Sequence, residues 1–342
     1  MESMKIFIQN PRKYPKVELH RHLEGALRFS TLIELAQQMG QDIPKDINAQ
    51  KQKFLVLDPM KDLLTVLNKF MATQSVLATE EVLTRITFEA IEDAHSEGIR
   101  LLELRYAPTY ILQGHSDLSY EKIHRAILKG VEKAAHFPIA VGLICIFQRT
   151  QPLVELDKVL DFVVDTKDTW IGVDLADDEA GFPTNNFSQL FSRAHRHGFP
   201  ITIHAGEVDQ PTSPKNVSDA IHLLGAQRIG HGLQIIRDAK VMQEVIDSKI
   251  TLELCPTSNW LTNGVPSLSA HPFRKLMEAK VLTTINSDDP GVFGIDLTNE
   301  YHLLAQTYQF TDAEFDYCND IAARASFIPL AQKQKYWPRK IS

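Results

Sequence analysis

His20-Arg21-His22, near the N-terminus, and Ser287-Asp288-Asp289-Pro290, near the C-terminus, together decide the fold. Side chains alternate along a strand with period two, so a His-x-His pair on a strand presents both imidazoles on one face. A carboxylate so far along the chain joins them in a metal site only if the fold closes on itself. The pair therefore predicts a barrel with a catalytic metal, to be judged by what lies between.

What lies between supports closure. Eight short apolar runs have strand character: 17–22, 99–107, 139–147, 170–175, 200–204, 228–232, 250–254 and 282–286. Most are continuous rather than alternating, as parallel strands covered on both faces are. Helical patterns separate them. Thr31-x-x-Glu34 has the form of a capping box, followed by an apolar stripe of Leu32, Leu35, Ala36 and Met39 that stops at Gly40. Val82, Ile86, Ala90 and Ala94 make a second stripe, ending at Gly98, and 121–135, 153–165, 187–197, 216–224, 238–247 and 270–279 are similarly periodic. Eightfold strand–helix alternation predicts an α/β fold, a (β/α)8 TIM-type barrel over 1–342 as one domain, with an open doubly wound sheet as the alternative. Extra helical material between strands 1 and 2, including 60–77, is expected to cover the barrel mouth, with 41–78 as a candidate lid. The stretch after 298 is expected to be helical and to pack on the barrel.

Composition narrows the function. The 342 residues are 44% hydrophobic and 23% charged with net charge −7, and contain no basic stripe, so neither nucleic acid nor an anionic membrane is an expected partner. Cys145, Cys255 and Cys318 form no Cys-x-x-Cys pair, which fits a reducing compartment. The first sixteen residues lack the apolar core of a signal peptide, and 139–147 is too short to span a bilayer; a cytoplasmic location is expected. Nothing in the sequence speaks to the oligomeric state.

Barrels place chemistry at the C-terminal ends of their strands. There this chain carries His20, His22 and Glu24 after the first run, Asp174 to Glu179 at the fourth, His204-Ala205-Gly206-Glu207 at the fifth, His231 at the sixth and Asp288-Asp289 at the eighth. Three histidines with one or two carboxylates suit Zn²⁺ and leave a position for water, whose pKa the metal lowers. Glu207 is a candidate proton donor to a substrate nitrogen, provided that a dry pocket raises its pKa. Each motif alone has a plainer reading: Asp288-Asp289-Pro290-Gly291 is a good turn, and the nine remaining histidines read as core or surface residues. Their joint placement, each at a strand end, favours a site. There is no His-Glu-x-x-His and no Pro-Cys-x-x-Cys, so neither a helix-borne protease zinc site nor a cytidine-deaminase type of zinc site is present. Cys255 reads as a small buried apolar residue.

With these residues in place, the chain resembles the adenosine deaminases of the amidohydrolase superfamily. The matching pieces are residues 15–25, Glu103-Leu104-Arg105-Tyr106-Ala107-Pro108, Asp174-Leu175-Ala176, His204-Ala205-Gly206-Glu207, Arg228-Ile229-Gly230-His231-Gly232, Cys255-Pro256-Thr257-Ser258-Asn259 and Ser287-Asp288-Asp289-Pro290-Gly291, in the family's order. The resemblance implies one zinc per chain held by His20, His22, His204 and Asp288. It implies that Glu207 protonates N1 of a purine. His231 would orient the attacking water and help remove its proton, and Asp289 would bond N7. His22, Glu24 and Asp177 complete the implied substrate contacts. Hydroxide would add at C6 and ammonia would leave. Two positions depart from the family pattern: Glu24 stands where Asp usually meets the ribose 5′-hydroxyl, and Asp177 where a Gly amide meets N3. Both bear on the nucleoside rather than the chemistry. The expected substrate is adenosine or 2′-deoxyadenosine. The alternatives are adenine or another 6-aminopurine such as 6-aminodeoxyfutalosine, a two-metal hydrolase of the same superfamily, and a non-catalytic barrel.

Overall fold

The computed structural model describes residues 10–60 and 69–341. Eight parallel strands run in chain order: β1 (Lys16–His22), β2 (Ile99–Tyr106), β3 (Ala140–Gln148), β4 (Gly172–Ala176), β5 (Thr202–Ala205), β6 (Arg228–His231), β7 (Thr251–Leu254) and β8 (Leu282–Ile285). Each lies within two residues of an apolar run read from the sequence. They form two four-stranded parallel sheets, β1 to β4 and β5 to β8. Single bridges, Val173 with Ile201 and Arg21 with Asp288, join the sheets at both seams and close the barrel. At the second seam the His22 N–H donates to Asp288 O and the Asp288 N–H to His20 O, both at 2.9 Å. The open doubly wound alternative is thereby excluded.

Helices cover the outside. Between β1 and β2 lie Phe29–Gln38, Ile47–Phe54, Met71–Val76 and Glu80–Ser96. The expected capping box at Thr31 is not formed. The helix begins at Phe29 with Arg28 as an N-cap that makes no side-chain bond. Thr31 therefore sits inside the first turn, and its hydroxyl donates to Glu89 at 2.7 Å while Glu34 pairs with Arg85. A packed neighbouring helix has outcompeted the local cap. In the candidate lid, 61–68 lies outside the described residues. Its described flanks dock on the mouth: the Val56 N–H donates to Val292 O at 2.9 Å and the Met60 N–H to Leu261 O at 3.1 Å. After β8, Leu297–Tyr308, Asp312–Ala325 and Leu330–Tyr336 are helical as expected. Asn319 Oδ1 accepts from the Val17 N–H at 2.9 Å, and Glu103 inside the barrel accepts from Ser326 and the Phe327 N–H, so this segment packs on the barrel wall and base.

The barrel interior is polar as well as apolar. Glu253 on β7 accepts from Arg105 on β2 at 2.7 Å and from Arg228 on β6 at 2.6 Å; Arg105 also reaches Asp174 on β4 at 2.7 Å. All four side chains are fully buried. Pairing of this kind is required where charges leave water, because removing one partner strands the other. The network is the floor on which the site rests.

Candidate active site

The C-terminal strand ends bring His20, His22, His204 and Asp288 together, with one ligand atom from each within 4.8 Å of the others. Three observations fit a cation held between them. His22 Nε2 and His204 Nε2 face each other at 3.1 Å. Asp288 Oδ1 lies 3.3 Å from His22 Nε2 and 3.5 Å from His20 Nε2. His20 Nε2 is buried without a hydrogen-bond partner. Asp288 adopts φ +64°, a left-handed conformation that aims its carboxylate inward. Strain of that kind persists where the surroundings over-determine it.

The outer nitrogens of two of these histidines are held from behind. His20 Nδ1 meets Glu253 at 2.7 Å and His204 Nδ1 meets Asp174 at 3.0 Å. A carboxylate behind a histidine fixes its orientation and raises its basicity as a ligand. Burial pushes the His22 and His204 pKa values down, so both are neutral and free to ligate. Burial and the Arg105 cation also pull on His20, but Asp288 and Glu253 outweigh them and hold it above its ordinary value. Asp288 stays ionised, well below the usual carboxylate range, because the surrounding imidazoles overcome its burial. A second grouping, His231, Cys255 and Asp288, shares a member with the first. Burial lifts the Cys255 thiol well above its usual range, which keeps it protonated and a poor ligand.

Glu207 faces the same space, with Oε2 3.6 Å from His231 Nε2. Burial, reinforced by the nearby Asp288 and Glu179 carboxylates, pushes it up to about 8. It follows Gly206, whose φ of +71° turns the chain sharply; a Cβ there would meet Val217 Cγ2 at 2.6 Å. Glu179 pins this turn by accepting from the Gly206 N–H at 2.7 Å, the Glu207 N–H at 3.1 Å and Asn216 Nδ2 at 3.0 Å. Asp289 is held protonated by burial and by the adjacent Asp288. Gly25 explains itself here, since a Cβ on it would sit 1.8 Å from Asp289 Oδ1.

A cavity of about 270 Å³ opens over the cluster, lined by Glu24, Asp177, Glu207, His231 and Asp289 among others, with Phe70 and Met71 from the helical cover at its rim. Glu24 Oε1 accepts from the Ala107 N–H at 2.6 Å while Oε2 is buried without a partner. Burial raises Glu24 to about 8. Asp177 keeps the backbone of a glycine, with φ +90°, despite its Cβ. Its carboxylate accepts from Thr150 and from the Asp178 N–H at 2.8 Å, which holds the unusual conformation. His22, Glu24, Asp177, His204, Glu207, His231, Asp288 and Asp289 thus line one cavity, and His20 completes the cluster beneath it. Sequence reasoning missed the supporting roles of Asp174, Glu179 and Glu253. The available signal was an acidic residue inside an otherwise apolar strand, as in Thr251-Leu252-Glu253-Leu254.

Comparison with known proteins agrees with this geometry. The family model described as adenosine deaminase matches residues 15–339. An adenosine deaminase of Yersinia enterocolitica is 35% identical over 324 residues, covering 94% of this chain and 96% of the relative. One from Shewanella denitrificans is 36% identical over 335 residues, covering 96% and 99%. Among solved structures, an adenine deaminase from Arthrobacter aurescens superposes with TM-score 0.86 at 27% identity, over 94% of this chain and 96% of that one. An amidohydrolase from Burkholderia ambifaria, with bound zinc, gives 0.84 at 27% identity, over 94% and 88%. With the barrel, the three-histidine and aspartate cluster and these likenesses all in agreement, the chain belongs to the adenosine deaminase family of aminohydrolases.

Proposed function

We propose that the protein uses one zinc ion per chain to hydrolyse the 6-amino group of a purine nucleoside, adenosine and 2′-deoxyadenosine first. The observation that carries this reading is Glu207: a buried carboxyl raised to about 8, opening onto the same cavity as the metal cluster. His20, His22, His204 and Asp288 would hold the zinc, whose contribution is to lower the pKa of a bound water to near neutral. Glu207, protonated at neutral pH, delivers its proton to a ring nitrogen, N1. His231 orients the attacking water. Asp289, kept protonated, donates to N7. Glu24 Oε2, without a protein partner, serves the sugar hydroxyl, and the Asp177 backbone N–H serves N3. His22 borders both metal and substrate.

No Lys or Arg is among the described residues lining the cavity, whereas Glu24, Asp177 and Asp289 are. That lining favours a neutral nucleoside over a nucleotide, because a phosphate here would find no cationic side chain among the described residues. Free adenine is the second reading, favoured by the extra methylene at Glu24 and by the adenine deaminase superposition. The test is kcat/KM for adenosine, 2′-deoxyadenosine, adenine and other 6-aminopurines on purified protein with metal quantified in parallel. Turnover of adenosine far below that of another 6-aminopurine would move the assignment to that compound. Two tightly bound ions per chain would revive the two-metal alternative.

A further inference from the structure

A chain of hydrogen bonds runs outward from His231 into the protein, away from the cavity. Asn259 Nδ2 lies 3.0 Å from His231 Nδ1, Asn259 Oδ1 lies 3.1 Å from His271 Nε2, and the Phe273 N–H reaches His271 Nδ1 at 3.1 Å. All three side chains are buried, with Asn259 fully so. Only one assignment of protons satisfies every link. The Phe273 backbone N–H can only donate, so His271 Nδ1 carries a lone pair. Burial drives the His271 pKa down to about 3, so the ring is neutral and its proton sits on Nε2. That Nε2–H needs an acceptor, which sets Asn259 with its oxygen towards His271 and its amide nitrogen towards His231. The Asn259 N–H then needs an acceptor in turn, which is the bare Nδ1 of His231.

We infer that Asn259 and His271 are positioning residues that lock neutral His231 in the Nε2–H tautomer. The inference rests on the reading of His231 as the residue that orients the attacking water. Nε2 faces Glu207 Oε2 at 3.6 Å and Asp288 Oδ2 at 3.8 Å, the space in which that water would lie. In this tautomer His231 gives a hydrogen bond to the water oxygen and takes no proton there. The dual role implied by the family resemblance, orienting water and removing its proton, is thereby divided: His231 orients the water, whose proton would pass to solvent because a bound metal would lower its pKa to near neutral. His271, which reads from the sequence as an ordinary core histidine, acquires a task at two removes from the substrate.

The test is ¹⁵N NMR of the zinc-loaded, histidine-labelled protein, with the His231 signals assigned through a His231→Gln variant. The ring couplings report which nitrogen bears the proton, with no substrate present. A proton on Nε2 and a bare Nδ1 are expected; a proton on Nδ1 overturns the inference. Asn259→Asp supplies the second arm, because a carboxylate can only accept and so demands Nδ1–H. Its His231 signals should switch tautomer. Its kcat should fall by a factor of about 10² to 10⁴, by analogy with other supporting and tautomer-setting residues, with bound zinc and KM little changed. Retention of kcat within about threefold would overturn the inference. If Asn259→Asp fails to fold, the wild-type spectrum decides alone. If the wild type deaminates no purine offered, the functional reading fails while the spectrum still tests the tautomer.

Discussion

Glu207→Gln separates the two things burial does to this carboxyl. The folded protein raises its pKa from 4.5 to about 8. Between those values the folded state holds a proton that the unfolded chain has released, so stability is lost as pH rises through that window. At pH 7 the wild type gives up, relative to an uncharged isostere, about 1.36 kcal/mol for each pH unit above 4.5, or about 3 kcal/mol. The amide of the variant would carry no such penalty. At about 2.1 cal/mol/K of unfolding entropy per residue, the gain amounts to about 4 °C in Tm for 342 residues. The difference should vanish near pH 4.5, grow through pH 7 and level off above 8. Over the same range deamination should be lower by a factor of about 10² to 10⁴, because the amide has no proton to give. Zinc content should be unchanged, since Glu207 is not among the clustered ligands. The assay is thermal melting of both zinc-loaded proteins at several pH values, with kcat/KM measured alongside. A Tm difference that is flat from pH 5 to 8 would refute burial as the reason this carboxyl keeps its proton. Near-wild-type turnover would refute its role as the acid.

Glu253→Gln, which weakens the support behind His20, should lower zinc affinity about 10- to 100-fold in chelator competition; unchanged affinity would count against that support. Glu179→Ala frees the turn that carries Glu207 and should cut kcat by about 10² with little loss of zinc, because small displacements of catalytic groups are costly. Gly25→Ala forces the Asp289 side chain out of its place, so KM for adenosine should rise several-fold while zinc stays bound; an unaltered KM would remove Asp289 from the substrate contacts. Wild-type kcat/KM should fall as pH rises through about 8, where Glu207 and Glu24 lose their protons; a profile flat to pH 9.5 would contradict both.

The parts of this molecule legible in the sequence are those set by local pattern. Strands such as Ala140–Gln148 are buried on both faces and announce themselves as apolar runs. The ligands lie at strand ends, where the barrel geometry alone predicts chemistry. What depends on the neighbour behind a residue was not legible. Glu253, Glu179, Asn259 and His271 owe their roles to partners on other strands, loops or helices. The misread capping box at Thr31 has the same origin, since Glu89 on a packed helix claims a hydroxyl that its own helix would otherwise use. Asp177 is an intermediate case. The substitution was visible, but only the structure shows that the residue keeps a positive φ and ties its carboxylate to Thr150.

The seam between β8 and β1 has a consequence for the order of events during synthesis. His20 and His22 emerge from the ribosome early, His204 later, and Asp288 only when nearly all of the barrel has been made. The two four-stranded sheets meet through one bridge at each seam, and the ligand cluster straddles the seam that can form only last. A growing chain therefore lacks the complete donor set until its eighth strand is in place. A bound ion would join the first-made half to the last-made one, and a nascent barrel would acquire full metal affinity in a single late step.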